Sequence, residues 1–239
     1  MQEQKKCFPQ GKKKAVTFSY DDGVIQDKRL IAILDKYGLK ATFNLNSERF
    51  SEKKFLDIYG GNFPWEKIDA SEVKELYKNH EVAAHTLTHP FLPNLSDDEV
   101  IRQVEEDRKN LSKLAGYEVV GMAYPCGGQN NDDRVAKLIK EHTGVKYART
   151  ITTTGNFDLQ DNLYRFNPTA YHLDFDKLYE LGEAFLNAKP EEPMIFYIWG
   201  HSYEFDGADA WDKFEEFCRF ISGAEDVFYG TNREVFVFC

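Results

Sequence analysis

From Lys14 onward, short apolar runs alternate with segments of helical period, and that alternation leaves few architectures open. Residues 14–20, 41–45, 81–84, 119–124, 145–148 and 194–199 read as strands, rich in Val, Ile, Phe, Tyr and Thr. Residues 169–172, 227–229 and 235–238 read as further short strands. Residues 26–37, 72–78, 96–115, 132–141, 175–186 and 210–221 read as helices. Leu30, Ile33, Leu34 and Tyr37 lie on one helical face before Gly38, and Ser96-Asp97-Asp98-Glu99 is a capping box that opens the helix ending at Gly116. Strands separated by helices of this length pair in parallel through right-handed crossovers. The expected fold is α/β, a single domain forming an irregular (β/α) barrel of about seven parallel strands. An open doubly wound sheet is the alternative. The domain is expected over residues 14–239, after an N-terminal segment of residues 1–13. Residues 51–67, with Tyr59-Gly60-Gly61-Asn62-Phe63-Pro64-Trp65, read as a rim loop.

Several function classes are disfavoured. No Gly-x-Gly-x-x-Gly or Walker A pattern follows a strand, which argues against a nucleotide fold. A net charge of −10 argues against nucleic acid or an anionic membrane as partner. No apolar stretch approaches the ~18 residues of a membrane span. The N-terminus has lysines and no apolar core of a signal peptide, so the expectation is cytoplasmic, or secreted if a leader has been removed. Cys7, Cys126, Cys218 and Cys239 form neither a zinc ribbon nor a disulfide framework. The oligomeric state is not legible.

In a β/α barrel the chemistry sits at the C-terminal ends of the strands. Asp21-Asp22-Gly23 follows the first strand, His85-Thr86-Leu87-Thr88-His89 the third, Pro125-Cys126-Gly127-Gly128 the fourth, and His201 the strand 194–199. Ligand-type and titratable residues therefore collect at one end. Asp-Gly alone is a turn signal, yet two adjacent carboxylates diverge, so one can bind a metal while the other stays free as a base. His85 and His89, four apart, can meet on one ion if the segment turns helically, with Asp22 as a third ligand. Two histidines and a carboxylate leave open positions for water and substrate. His201 reads either as a buried neutral residue or as a general acid at the mouth. His172 lines the mouth or lies in the core, and His80 and His142 read as surface residues at helix ends.

These residues resemble the polysaccharide deacetylases of carbohydrate esterase family four, the NodB-homology domain. The first motif appears as Thr17-Phe18-Ser19-Tyr20-Asp21-Asp22-Gly23, the second as His85-Thr86-Leu87-Thr88-His89, and the fifth as the apolar strand ending in His201. The resemblance implies a distorted β/α barrel and a metal-dependent deacetylase of an N-acetylated sugar or polysaccharide. It implies Asp21 as general base and His201 as general acid. Asp22, His85 and His89 would hold a divalent metal, zinc first, with cobalt or nickel as alternatives. The Cys126 N–H would stabilise the oxyanion.

The chain also departs from that family. The third motif, normally Arg-x-Pro followed by an aromatic residue, reads Ala123-Tyr124-Pro125-Cys126. Arg149 and Arg165 are the candidates to replace the missing arginine. The fourth motif, whose carboxylate tunes the catalytic histidine, has no match, and Asp158, Asp161 and Asp174 are merely nearby. Tyr124, Trp199 and Tyr203 read as sugar-stacking walls or as core. The expected partner is an acetylated carbohydrate. An O-acetyl glycan esterase, a metal-independent cyclic amide hydrolase resembling allantoinases, and a non-catalytic carbohydrate-binding protein are the alternatives. A glycosidase needs two carboxylates set apart across a cleft, which an adjacent Asp pair does not supply.

Overall fold

The structure, a computed structural model, describes residues 7–237. Its strands are β1 (Lys14–Asp21), β2 (Ala41–Leu45), β3 (Lys53–Ile58), β4 (Gly61–Glu66), β5 (Glu81–Ala84), β6 (Gly121–Ala123), β7 (Tyr147–Arg149), β8 (Ala170–Tyr171), β9 (Met194–Gly200) and β10 (Val227–Tyr229). Its helices are α1 (Asp27–Lys36), α2 (Val73–Leu76), α3 (Asp97–Ala115), α4 (Asp133–His142), α5 (Phe175–Asn187), α6 (Glu204–Gly207), α7 (Trp211–Ile221) and α8 (Asn232–Phe236). Seven parallel strands form a curled sheet in the order β7-β6-β5-β2-β1-β9-β8, and β10 pairs with β1. The segment leading into β8 joins the two edges. Phe166 N–H bonds to Ala148 O (2.9 Å), while Thr169 N–H bonds to Tyr197 O (2.8 Å). The expected single-domain (β/α) barrel of about seven parallel strands is the observed fold.

Alternation along the strands separates two environments. On β1, Val16, Phe18 and Tyr20 join the main apolar core under the helices. Thr17, Ser19 and Asp21 take the other face, toward the barrel interior, and are equally buried. β2 repeats the pattern, with Phe43 and Leu45 in the core and Thr42 and Asn44 inside. Polar groups buried this way must be hydrogen-bonded, and they bond to one another. Thr17 Oγ1 donates to Asn232 Oδ1 (2.9 Å), Asn232 Nδ2 to Tyr197 Oη (2.6 Å), and Thr42 Oγ1 to Glu81 Oε2 (2.7 Å). Below this network, Phe8, Ala15, Phe166, Ile195, Tyr197 and Val235 form a small second core. Among the described residues no helix is long and apolar enough to cross a membrane.

Two expectations are corrected. The predicted end strand at 235–238 is instead the end of α8, with residue 238 outside the described residues. The cause is a capping box: Thr231 accepts from Glu234 N–H while Glu234 accepts from Thr231 N–H. Helical phase then drives Asn232 into the barrel floor, where an extended chain would not satisfy Thr17 and Tyr197. The rim loop predicted at 51–67 is largely a β-hairpin, β3 paired antiparallel with β4. Its turn, Tyr59-Gly60, has positive φ at both residues (50° and 76°), as a two-residue hairpin turn requires. Pro64 is tolerated because this two-stranded sheet has free edges.

Candidate active site and metal centre

The loops after β1, β5, β6 and β9 meet at one end of the barrel. Four non-glycine residues there hold left-handed backbone: Asp22 (φ 81°), Thr86 (69°), His89 (64°) and Cys126 (69°). Such conformations cost on the order of 1–3 kcal/mol each and concentrate at functional sites. Gly23 (φ 65°) finishes the turn after the aspartates, where a Cβ would lie 2.5 Å from Leu45 Cδ2.

The two adjacent aspartates face different partners. Asp21 ends β1 inside the barrel. Arg149 Nη2 lies 2.5 Å from both of its oxygens, and Asn44 Nδ2 donates to Oδ1 at 2.8 Å. Burial pushes this carboxyl up, but Arg149, His85 and His201 outweigh it and hold it below its ordinary value. Asp22 turns outward toward the histidines. Its Oδ1 is 3.5 Å from the ammonium of buried Lys67 and 3.9 Å from His89 Nε2. Burial again acts upward, and Lys67 with the three nearby histidines depresses the acid strongly. Lys67 also donates to Asp22 O (2.5 Å) and Asn46 Oδ1 (2.7 Å), which pins the strained turn.

His85 is held from behind. Its Nδ1 lies 2.9 Å from Ala123 O, so Nδ1 carries the proton and Nε2 keeps a free lone pair. Its backbone N–H reaches Asp107 Oδ2 (3.0 Å), a buried carboxylate of α3 that also accepts from Ser47 N–H (2.7 Å). The His89 ring sits at 4.9 Å from that of His85, and the Cys126 thiol approaches His89 Nδ1 at 3.7 Å. Burial lowers both imidazoles below their ordinary range, His89 to about 4, so both are neutral ligands at pH 7. One ligand atom from each of Asp22, His85 and His89 lies within 4.8 Å of the others. An ionised carboxylate, two neutral imidazoles and a fixed tautomer are a donor set that suits a divalent ion such as zinc.

His201 follows β9 on the far side of Asp21, with Nε2 4.0 Å from Asp21 Oδ2. Glu204, the first residue of α6, accepts from His201 Nδ1 (3.0 Å) and from His201 N–H (3.1 Å) through the same oxygen. Burial opposes the charge on His201, but Glu204, Asp21 and Asp22 more than offset it and lift the imidazole to about 9. The next residue, Ser202, donates to Asp27 Oδ1 (2.5 Å), and Tyr77 donates to Asp27 Oδ2 (2.7 Å). These bonds anchor the loop to α1 and α2.

The structure brings Asp21, Asp22, His85, His89, Cys126, Arg149 and His201 together. Among the described residues the Cys126 N–H makes no hydrogen bond. Tyr124 lies elsewhere: it is buried, its hydroxyl donates to Tyr164 O (2.7 Å), and it is core rather than a substrate wall. Arg165 bonds Asn131, just before α4, and Asp133 on α4, away from Asp21. His80 is buried, accepting from Ala41 N–H (3.2 Å), instead of lying on the surface. His172 is fully buried and does not line the mouth. Asp174 caps α5. Trp199 is nearly buried, with the Arg149 guanidinium 4.7 Å above its ring, and the Tyr203 ring lies tilted 5.2 Å from that of His201. Glu204, Lys67 and Asn44 are residues that the sequence pattern did not single out. Only Glu204 left a signal, three residues beyond His201 at a helix start.

Comparison with known proteins gives the family and the fold. The family model described as polysaccharide deacetylase matches residues 9–148, more than half of the chain. A curated relative, the peptidoglycan-N-acetylmuramic acid deacetylase PdaC of Bacillus subtilis (strain 168), is 24% identical over 123 residues, 51% of this chain. That match spans only 23% of the relative's length. The solved structure of the B. subtilis peptidoglycan deacetylase PdaC superposes with a TM-score of 0.54 at 18% identity, covering 93% of this chain and 90% of that one. A mutant of a family-four carbohydrate esterase pseudoenzyme, with restored activity, gives 0.52 at 20% identity over 94% of this chain and 68% of that one. At these identities the structural likeness concerns the fold.

Proposed function

The chain belongs to the polysaccharide deacetylase family, and from that membership and the site geometry we propose that it removes acetyl groups from an N-acetylated sugar or polysaccharide, using a divalent metal, zinc first. The observation that carries this reading is the division of labour between Asp21 and Asp22, with Asp21 locked by Arg149 and Asp22 grouped with His85 and His89. A metal-free hydrolase has no use for three convergent neutral or anionic ligands. A binding protein has no use for a buried, partnered base and acid 4.0 Å apart.

Asp22, His85 and His89 would hold the metal. Once bound, the ion supplies Lewis-acid polarisation of the acetyl carbonyl and a hydrolytic nucleophile near neutral pH. Asp21, ionised and oriented by Arg149 and Asn44, accepts the proton that water loses on attack. The Cys126 N–H would donate to the developing oxyanion. His201, kept protonated by Glu204, gives its Nε2 proton to the leaving nitrogen, so the C–N bond breaks to acetate and a free amine. Arg149 takes the place of the family's third-motif arginine from a different strand.

Acetate release from N-acetylated oligosaccharides is the test, on protein stripped with a chelator and reloaded with zinc or cobalt. Turnover that returns with metal and vanishes in Asp21→Asn supports the reading. A stoichiometrically loaded protein that releases no acetate from any N- or O-acetylated glycan overturns it.

A further inference from the structure

His172 follows β8, and its ring is completely buried. Tyr20, Tyr171 and Phe205 cage it, with ring centroids 5.5, 4.8 and 4.4 Å away. Its Nε2 lies 2.9 Å from Glu204 Oε2. Because that oxygen is an acceptor, Nε2 carries the proton, and Nδ1 is left as a bare lone pair with no hydrogen-bond partner. A buried polar atom left unsatisfied costs about 1–3 kcal/mol. Phenylalanine or leucine would fill such a cage without that cost. The backbone concedes space as well: a Cβ on Gly200 would lie 2.1 Å from His172 Cδ2, so only glycine fits beside the ring. What distinguishes histidine here from an apolar residue is its hydrogen bond to Glu204. That same oxygen already receives the backbone N–H and the Nδ1–H of His201.

Resting on the deacetylase reading above, we propose that His172 is a positioning residue for the acid step, holding Glu204 Oε2 from the side of the apolar core so that His201 keeps Nε2–H directed at the leaving nitrogen. The fourth-motif carboxylate that this chain lacks is thereby replaced by two residues, one on α6 and one after β8. Glu204 is held by more than one group, and His172 is the one that bonds the same oxygen as His201. Glu204 opens a four-residue helix, and its remaining polar neighbours are the hydroxyls of Tyr171 and Tyr59. The groups facing His201 are Asp21 at the end of β1, Asp22 just after it, Glu204 from α6, Tyr203 and His172.

The test compares a poor leaving group with a good one. An amine leaving from an N-acetyl sugar needs a proton from His201, whereas a nitrophenolate leaving from an aryl acetate does not. In His172→Phe the kcat for the amide substrate should fall by at least about tenfold more than that for the ester. His172→Gln, whose amide N–H can reach the same oxygen, should restore most of the difference, and His172→Asn, one bond shorter, should not. A second readout needs no turnover. The hydrogen-bonded Nδ1 proton of His201, observed by NMR of selectively ¹⁵N-labelled histidine, should be lost in His172→Phe and regained in His172→Gln. If the ratio and the proton signal are unchanged while only the melting temperature drops, His172 is a core residue and the proposal falls. If the wild type cleaves no acetyl substrate, the deacetylase reading fails, and the NMR comparison still decides for or against His172.

Discussion

Arg149 and Asp21 stand 128 residues apart in the chain, yet inside the barrel one guanidinium nitrogen lies 2.5 Å from each carboxylate oxygen. Both side chains are out of water, at 0% and 2% exposure. A pair this buried is weak evidence for stability, but removing one partner strands the other charge. Arg149→Met is therefore expected to lose about 3–5 kcal/mol in a denaturant titration, and to lose deacetylation almost completely. Arg165→Ala, which touches only the α4 side, should keep near-wild-type turnover. Equal turnover in both variants would remove Arg149 from the role of base partner.

Metal content tests the ligand set directly. Elemental analysis of zinc-loaded protein should find about one ion per chain, as a three-ligand site with open positions binds. Asp22→Ala and His89→Ala should each lose it. Asp21→Asn should retain it, because Asp21 is bound to Arg149 and is not one of the three grouped donors. An ion that persists in Asp22→Ala would place the metal elsewhere.

The proton on His201 has a stated pH window. Its folded value, about 9, lies above the ordinary 6.5 of an imidazole. The stabilisation that comes from protonated His201 is thus complete below 6.5 and is lost as pH rises through 9. Turnover that needs His201 as acid should fall along the same alkaline limb. Glu204→Gln should move that limb toward neutrality by one unit or more, read from kcat between pH 6 and pH 10. A limb that stays in place would show that Glu204 does not set the charge state of His201.

Asp27 behaves in the opposite sense to an ordinary ion-paired acid. Burial lifts it to about 7 against an ordinary 3.8, despite the hydroxyls of Ser202 and Tyr77. Between those values the folded state keeps a proton that the unfolded state releases, so stability declines as pH rises from about 4 to about 7. Asp27→Asn should flatten this decline, gaining on the wild type at pH 8 relative to pH 5. Parallel melting curves at the two pH values would refute the shift.

Gly200→Ala should cost about 1–3 kcal/mol by overpacking, since the new methyl would collide with the ring of His172. The collision pushes His172 off Glu204, so amide turnover should suffer more than thermal stability. Crystals of the variant with His172 and Glu204 undisturbed would contradict this.

Much of the fold was legible because its information is local. The strand core at Val16, Phe18 and Tyr20 announces itself by period-two alternation, and that at Phe196 and Ile198 by an apolar run. The capping boxes and glycine stops mark helix ends within four residues. The hairpin at β3 and β4 escaped because Pro64 and a Tyr-Gly turn are weak strand and turn signals. Helix α8 escaped although Thr231 and Glu234 carry a capping box, because the apolar Val235-Phe236-Val237 run reads equally well as a strand.

The same division runs through the site. Asp21-Asp22-Gly23 and His85 to His89 are each contiguous, so the sequence alone determined the ligand types, their order and their place at strand ends. It did not determine which arginine meets Asp21, or that His172 and His201 share Glu204. Those assignments depend on side chains up to 128 residues apart converging inside one barrel. Only tertiary structure decides them, because a buried charge takes whichever partner the closed sheet brings within hydrogen-bond reach, and no local spacing encodes that distance.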